Sequence, residues 1–196
     1  SYLGRYFIVF YLGIAQAGLY AVSVKFSTMV MVISQTLNKS WEISACKEHD
    51  GEESSPEEKA LFYNNIFNYS SKGYFIVVSA ILLSLKPLLF LWVDPKFHEA
   101  WLYAPPLLLG AVFYALSNYF SATFVASQQT KWIFYINLAG AAINVVFNIL
   151  LTPTFGLHGV AVAMLITYVS MFAIMFKKSK ETLTIKIYGS TVFAFC

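Results

Sequence analysis

Two cations sit where charge is expensive. Arg5 and Lys25 lie within strongly apolar stretches on either side of a short turn around residues 13–18. A Lys or Arg at mid-membrane costs about 2.5–3.5 kcal/mol on insertion scales, so such residues normally face a bundle interior or a polar cavity. The midpoint of 5 and 25 is 15, the middle of that turn. Two antiparallel helices sharing it are expected to hold both cations at one depth, roughly 12 Å from the turn at 1.5 Å per residue. Three chemistries fit such a pair. An anionic ligand lies between them, a carboxylate comes from helices outside this chain, or each side chain snorkels to the headgroups. Lys86, followed by Pro87 near the end of its stretch, fits snorkelling.

Other polar residues are sparse. Asn137, Asn144 and Asn148 are spaced by seven and four residues, which puts them on one helical face with Gly140 and Ala141 close by. Small residues let helices approach and Asn amides then bond across the contact, so this face reads as a helix–helix seam in preference to a sugar-binding stripe. Asn118, Ser121 and Thr123 follow Pro105 and Pro106 on the next helix upstream, where Asn118 is a candidate for a wet cavity. His49, beside Lys47, Glu48, Asp50, Glu52 and Glu53, reads as part of a solvated loop more readily than as a metal site. Asp94, His98 and Glu99 read as surface loop chemistry.

The elements that carry these residues are membrane helices. Apolar stretches at 18–37, 73–93, 103–126, 132–151 and 157–176 each approach the roughly 20 residues that a crossing helix needs, and residues 2–12 form a shorter piece. Composition agrees: 58% of residues are hydrophobic, only 12% are charged, and the mean hydropathy is +0.63. The expected fold is all-α, a polytopic transmembrane bundle of about five full spans with partial helices at both ends. Residues 1–196 form one transmembrane region. Residues 47–72 are expected to make a cytoplasmic loop whose helix, starting at Pro56 and bearing Leu61, Phe62, Ile66 and Tyr69, lies on the membrane before the chain turns into the span at Gly73.

Orientation follows from the basic residues. Lys39, Lys47, Lys59, Lys72, Lys131, Lys177, Lys178 and Lys180 fall on one side if every stretch crosses, and the other side carries only Lys96. Cytoplasmic loops accumulate Lys and Arg, so the first group is expected inside the cell. The net charge of +3 is then a consequence of topology and not of nucleic-acid binding. Ser1 opens the chain without a signal peptide, and residues 2–12 are too short to cross alone, which points to a piece of a longer protein.

No Asp or Glu lies inside any span, although cation-coupled exporters commonly use embedded carboxylates. A phosphate-cradling Gly-rich loop, a Ser/His/Asp arrangement and a Cys/His ligand spacing are also missing from the sequence, so no enzymatic activity and no cofactor are expected. Cys46 and Cys196 read as ordinary thiols.

The run Gly4-Arg5-Tyr6-Phe7-Ile8, then Leu12-Gly13, Ala17 to Val22 and Lys25, resembles the start of the second half of bacterial polysaccharide flippases. The block from Ala126 to Lys131, followed by Ala141 through Asn144, Asn148, Pro153 and Gly156 to Ala161, is similar to that family's Asn-bearing helix, Pro-to-Gly outer turn and Gly/Ala-rich next helix. Gly4 stands where many members carry Asp. The resemblance covers almost the whole chain. It implies the oligosaccharide-lipid flippase branch of the multidrug and polysaccharide exporter superfamily, with this chain as most of the second of two lobes. The implied substrate is an undecaprenyl-pyrophosphate-linked repeat unit. It would be moved across the bacterial inner membrane for surface polysaccharide such as O-antigen, with Arg5, Lys25 and Asn118 as substrate contacts and polysaccharide assembly machinery as a further partner. The alternatives are a cation-coupled multidrug exporter of the same superfamily and, from another class, a membrane glycosyltransferase or polymerase.

Overall fold

Gly13 ends the first helix. Its φ of +86° lies in the left-handed region that glycine enters without strain, and its N–H donates to the Ile8 carbonyl at 3.0 Å. The computed structural model describes residues 2–50, 56–126 and 128–182. Helix α1 spans Tyr2–Leu12, α2 Ile14–Asp50 and α3 Pro56–Trp92; a 3-10 turn at Pro95–Phe97 leads into α4, Ala100–Ala126, and then α5, Lys131–Thr182. No strand occurs among the described residues, and the fold is the expected all-α, polytopic bundle.

Helix α5 cannot be one straight rod. Its 52 residues would reach about 78 Å, more than twice the roughly 30 Å hydrocarbon core. At Gly156 the backbone takes φ +57°, ψ −133°, outside the helical region. The arms before and after it face one another, with Gly140 against Met171 and Asn144 bonded to Thr167. The number pairs sum to 311 in both cases, the signature of an antiparallel hairpin. Four helices hold segments long and apolar enough to cross a membrane, at Ile14–Ser40, Asn64–Trp92, Ala100–Ala122 and Lys131–Ser179. The hairpin divides the last into two, which gives the five crossings read from hydropathy.

Helix α4 sits at the centre. Ser23 Oγ donates to the Ala100 carbonyl at 2.8 Å and Asn38 Nδ2 to the Ala115 carbonyl at 3.4 Å, both 77 residues apart, so α2 and α4 run parallel. Phe67 on α3 packs on Tyr119 and Phe120, and Lys86 lies over Trp101, so α3 runs antiparallel to α4. Tyr114 packs at a tilt on Tyr168 and Phe120 edge-on against Phe176, so the second arm of α5 is parallel to α4. Gly4 is buried, where an added Cβ would come 3.2 Å from Val160 and 3.5 Å from the Tyr20 hydroxyl. Helix α1 therefore folds back along α2 and α5. The turns at Gly13, 93–99 and Gly156 gather at one end of the bundle.

Two elements differ from the sequence reading. Helix α3 passes through Gly73 without a break, so the segment from Pro56 is continuous with the span instead of turning into it. Leu61, Phe62 and Tyr69 are exposed on it. Helix α4 starts at Ala100, ahead of Pro105 and Pro106, which deprive the Trp101 and Leu102 carbonyls of helical donors. Both of those residues are exposed.

Candidate substrate contacts and polar seams

Arg5 and Lys25 are both exposed, and among the described residues neither takes part in an ion pair. The Arg5 guanidinium lies near enough to the Tyr20 ring to act on it electrostatically. The buried stripe of α2 runs through Tyr20, Ser23, Ser27, Val30 and Ser34, and Lys25 projects from the opposite side. The pair is not level. The break falls at Gly13 instead of residue 15, so Arg5 is eight residues from it and Lys25 twelve, an offset of about 6 Å or one turn. Asn118 stands apart from both. In the α2–α4 register Lys25 is level with Leu102, and Asn118 lies 16 residues further along, about 24 Å away. It is half-buried.

Two polar seams hold the bundle together. On α2 the serines face alanines of α4: at the 77-residue offset Ser23 meets Ala100, Ser27 meets Ala104 and Ser34 meets Ala111, all fully buried. Ser27 and Ser34 return their hydroxyls to carbonyls of their own helix at 2.9 and 2.8 Å, which leaves a smooth face for close approach. This serine stripe was missed in the sequence because single serines at four- and seven-residue spacing stand among larger apolar residues. The second seam is the α5 hairpin. Gly140, Asn144, Asn148 and Thr152 recur every four residues on one arm, facing Met171, Thr167, Ala163 and Gly159 on the other. Asn144 Nδ2 donates to Thr167 Oγ1 at 3.1 Å, and Asn148 Nδ2 to the Asn144 carbonyl and Oδ1 at 2.7 and 3.2 Å. The expected Asn seam therefore exists for Asn144 and Asn148. Asn137 falls outside it: its side chain is exposed and bonds back to the Ile133 carbonyl.

Two of the loop trio, Asp94 and His98, make structural contacts. Asp94 caps the 3-10 turn by accepting from the Lys96 backbone N–H at 3.2 Å and pairs with the Lys96 ammonium at 3.4 Å. These contacts, the backbone bond first, hold its carboxyl below the usual carboxylate value. His98 Nε2 lies 3.0 Å from the Val93 carbonyl and its ring packs at a tilt against Phe90, centroids 4.2 Å apart. Lys86 rests 5.2 Å above the Trp101 ring, close to the same end, as a snorkelling cation does. The side chains around His49 lie outside the described residues. Among the described residues no three His, Cys, Asp or Glu side chains converge as metal ligands.

With these helices and seams in place, the chain can be set beside known proteins. Residues 57–150 match the MatE family model. The MatE match runs from the start of α3 through α4 to the Asn-bearing arm of α5. The chain is also 26% identical over 141 residues to a probable lipid II flippase, MurJ, of Thermotoga maritima, an alignment covering 67% of this chain and 30% of that protein. The chain thus spans about 30% of the length of the curated relative it matches. No solved structure matches it. The apolar helices and both likenesses are those of a multi-pass membrane protein of the transporter kind.

Proposed function

We propose that this chain is most of the second lobe of an oligosaccharide-lipid flippase in the bacterial inner membrane, with its basic loops in the cytoplasm. The MatE match and the likeness to a probable lipid II flippase support a transporter of lipid-linked substrates in general. The observation that carries the finer reading is the exposure of Arg5 and Lys25, in apolar helices and without an ion pair among the described residues. Cations so placed are suited to the pyrophosphate of a lipid-linked sugar. Charge-assisted contacts replace the hydration that the head group loses in a cavity, while the lipid tail remains in the bilayer. The one-turn offset spreads the charges along the path of the head group. Asn118, about 24 Å along the axis from Lys25, serves in this reading as a separate contact nearer the cytoplasmic end. The rest of the cavity comes from an N-terminal lobe, and rocking of one lobe against the other carries the sugar across without breaking a bond.

The MatE match suits a cation-coupled multidrug exporter of the same superfamily as well, and an embedded carboxylate in the other lobe would favour it. The deciding experiment replaces Arg5→Gln and Lys25→Gln in the full-length protein. Surface polysaccharide is expected to be lost while membrane abundance stays normal, because each charge-assisted contact is worth about 1.5–3 kcal/mol. Normal polysaccharide from the double variant at normal abundance would sink the assignment.

A further inference from the structure

A cleft of about 430 Å³ opens beside the Gly156 break, at the turn end of the bundle. The end of α1 reaches it at Leu12, which approaches Gly156. Its size lies within the range of small-molecule sites, and it combines an apolar floor with a few polar groups as such sites do. Leu12, Phe155 and Leu157 supply the floor, and Gln16, Tyr103 and His158 the polar groups. The Tyr103 and His158 rings pack with centroids 4.6 Å apart at 51°, so each fixes the other. Among the described residues no hydrogen bond engages the side chains of Gln16, Tyr103 or His158, which leaves an amide, a phenol and an imidazole available to a ligand.

We propose that this cleft binds a neutral saccharide, as a subsite for the sugar part of the cargo on the side where it is released. The proposal rests on the flippase reading for its cargo, and on the lining for its chemistry. No Asp, Glu, Lys or Arg lines the cleft, so a phosphate or carboxylate finds no counter-charge there. A sugar presents a rim of hydroxyls, each both donor and acceptor, around a face of C–H groups. The rim matches the amide, phenol and imidazole, and the C–H face matches the aromatic and leucine walls. The position is also apt. The cleft lies at the end away from Lys131, Lys177 and Lys178, which is the outer side in the proposed orientation.

The test uses the full-length protein in detergent micelles, with N,N′-diacetylchitobiose as the probe and saturation-transfer NMR as the readout. Saturable binding is expected. Gln16→Leu and Tyr103→Phe should each weaken it about three- to tenfold, the worth of one hydrogen bond. Leu83→Ala, on the exposed face of α3, should leave it unchanged. Tyr103→Phe keeps the ring and its packing on His158, so it reports even where Gln16→Leu disturbs folding. Three results overturn the proposal: no saturable binding by the unaltered protein, unchanged affinity in both cleft variants, or displacement of the probe by inorganic phosphate. Probe binding is independent of transport, so failure of the flippase reading in the Arg5 and Lys25 experiment is distinguishable from failure here.

Discussion

Replacing Gly156 with alanine tests the hairpin through the sign of a stability change. Its backbone, at φ +57° and ψ −133°, lies where a side chain is strained, and a Cβ there would meet nothing nearer than Leu12 Cδ2 at 3.9 Å. Steric overlap therefore contributes nothing, and the whole cost is conformational, about 1–3 kcal/mol. Were residues 131–182 a continuous helix, the same substitution would relieve an interior glycine and stabilise by about 1 kcal/mol. The two architectures predict opposite signs. Thermal or denaturant unfolding of the purified protein in one detergent reads the difference. Gly73→Ala is the control, since Gly73 is helical with nothing within 4 Å of its added Cβ, and should gain about 0.5–1 kcal/mol. Gly159→Ala should be worse than Gly156→Ala, because its Cβ would overlap the Leu151 carbonyl on the facing arm. A Gly156→Ala protein as stable as the unaltered one, with Gly73→Ala stabilised as expected, would refute the hairpin.

Asn144→Leu removes the one bond across to Thr167, and an acceptor for Asn148 on its own arm, and should destabilise by about 0.6–1.7 kcal/mol, the worth of a single interhelical bond. Combined with Thr167→Val it should cost less than the sum of the two single changes, and strict additivity in unfolding experiments would contradict a shared bond. Asp94 has a folded-state pKa below its ordinary value, so its cap on the 3-10 turn is fully present above the ordinary carboxylate range and is lost as pH falls through the lowered value. Protection of the Lys96 amide, measured against its intrinsic exchange rate at each pH, should fall across that acidic window in the unaltered protein, whereas Asp94→Asn should flatten the profile. Single cysteines at His98 and Thr154 should react with an impermeant reagent in whole cells and one at Glu53 should not; labelling at Glu53 without permeabilisation reverses the orientation.

Much of the architecture was readable because a membrane span announces itself by length and apolarity alone. The break between 132–151 and 157–176 was visible as Pro153 to Gly156, and the seam at Asn144 and Asn148 as a four-residue spacing. Hydropathy says where a helix is apolar but not where it bends, so it placed a turn at Gly73 that the continuous α3 lacks. It also centred the first turn on residue 15, whereas Gly13 makes the break on its own. That two-residue error set Arg5 and Lys25 level when they are a turn apart. Asn118 was read as a candidate for a wet cavity, and only the parallel register of α2 and α4 reveals its distance from the cations. The cleft at Gln16, Tyr103 and His158 was illegible for a further reason: three helices contribute one polar group each, and no local spacing links them.

Helix α4 obeys contrary demands on its two flanks. Toward α2 it offers Ala100, Ala104 and Ala111 against a file of serines and Ala115 against Asn38, all four alanines at 0% exposure, and added volume there has nowhere to go. Toward the second arm of α5 it offers Phe113, Tyr114 and Phe120, whose rings lie 5.0–6.0 Å from those of Tyr168, Phe172 and Phe176. There it is lost volume that leaves a void. The α2-facing edge forbids growth, while Phe113, Tyr114 and Phe120 on the other forbid shrinkage, so sequence drift along α4 is confined from opposite directions at positions only a few residues apart. A consensus drawn from hydrophobicity alone would score both edges as interchangeable, and a redesign guided by it would fail on whichever flank it altered first.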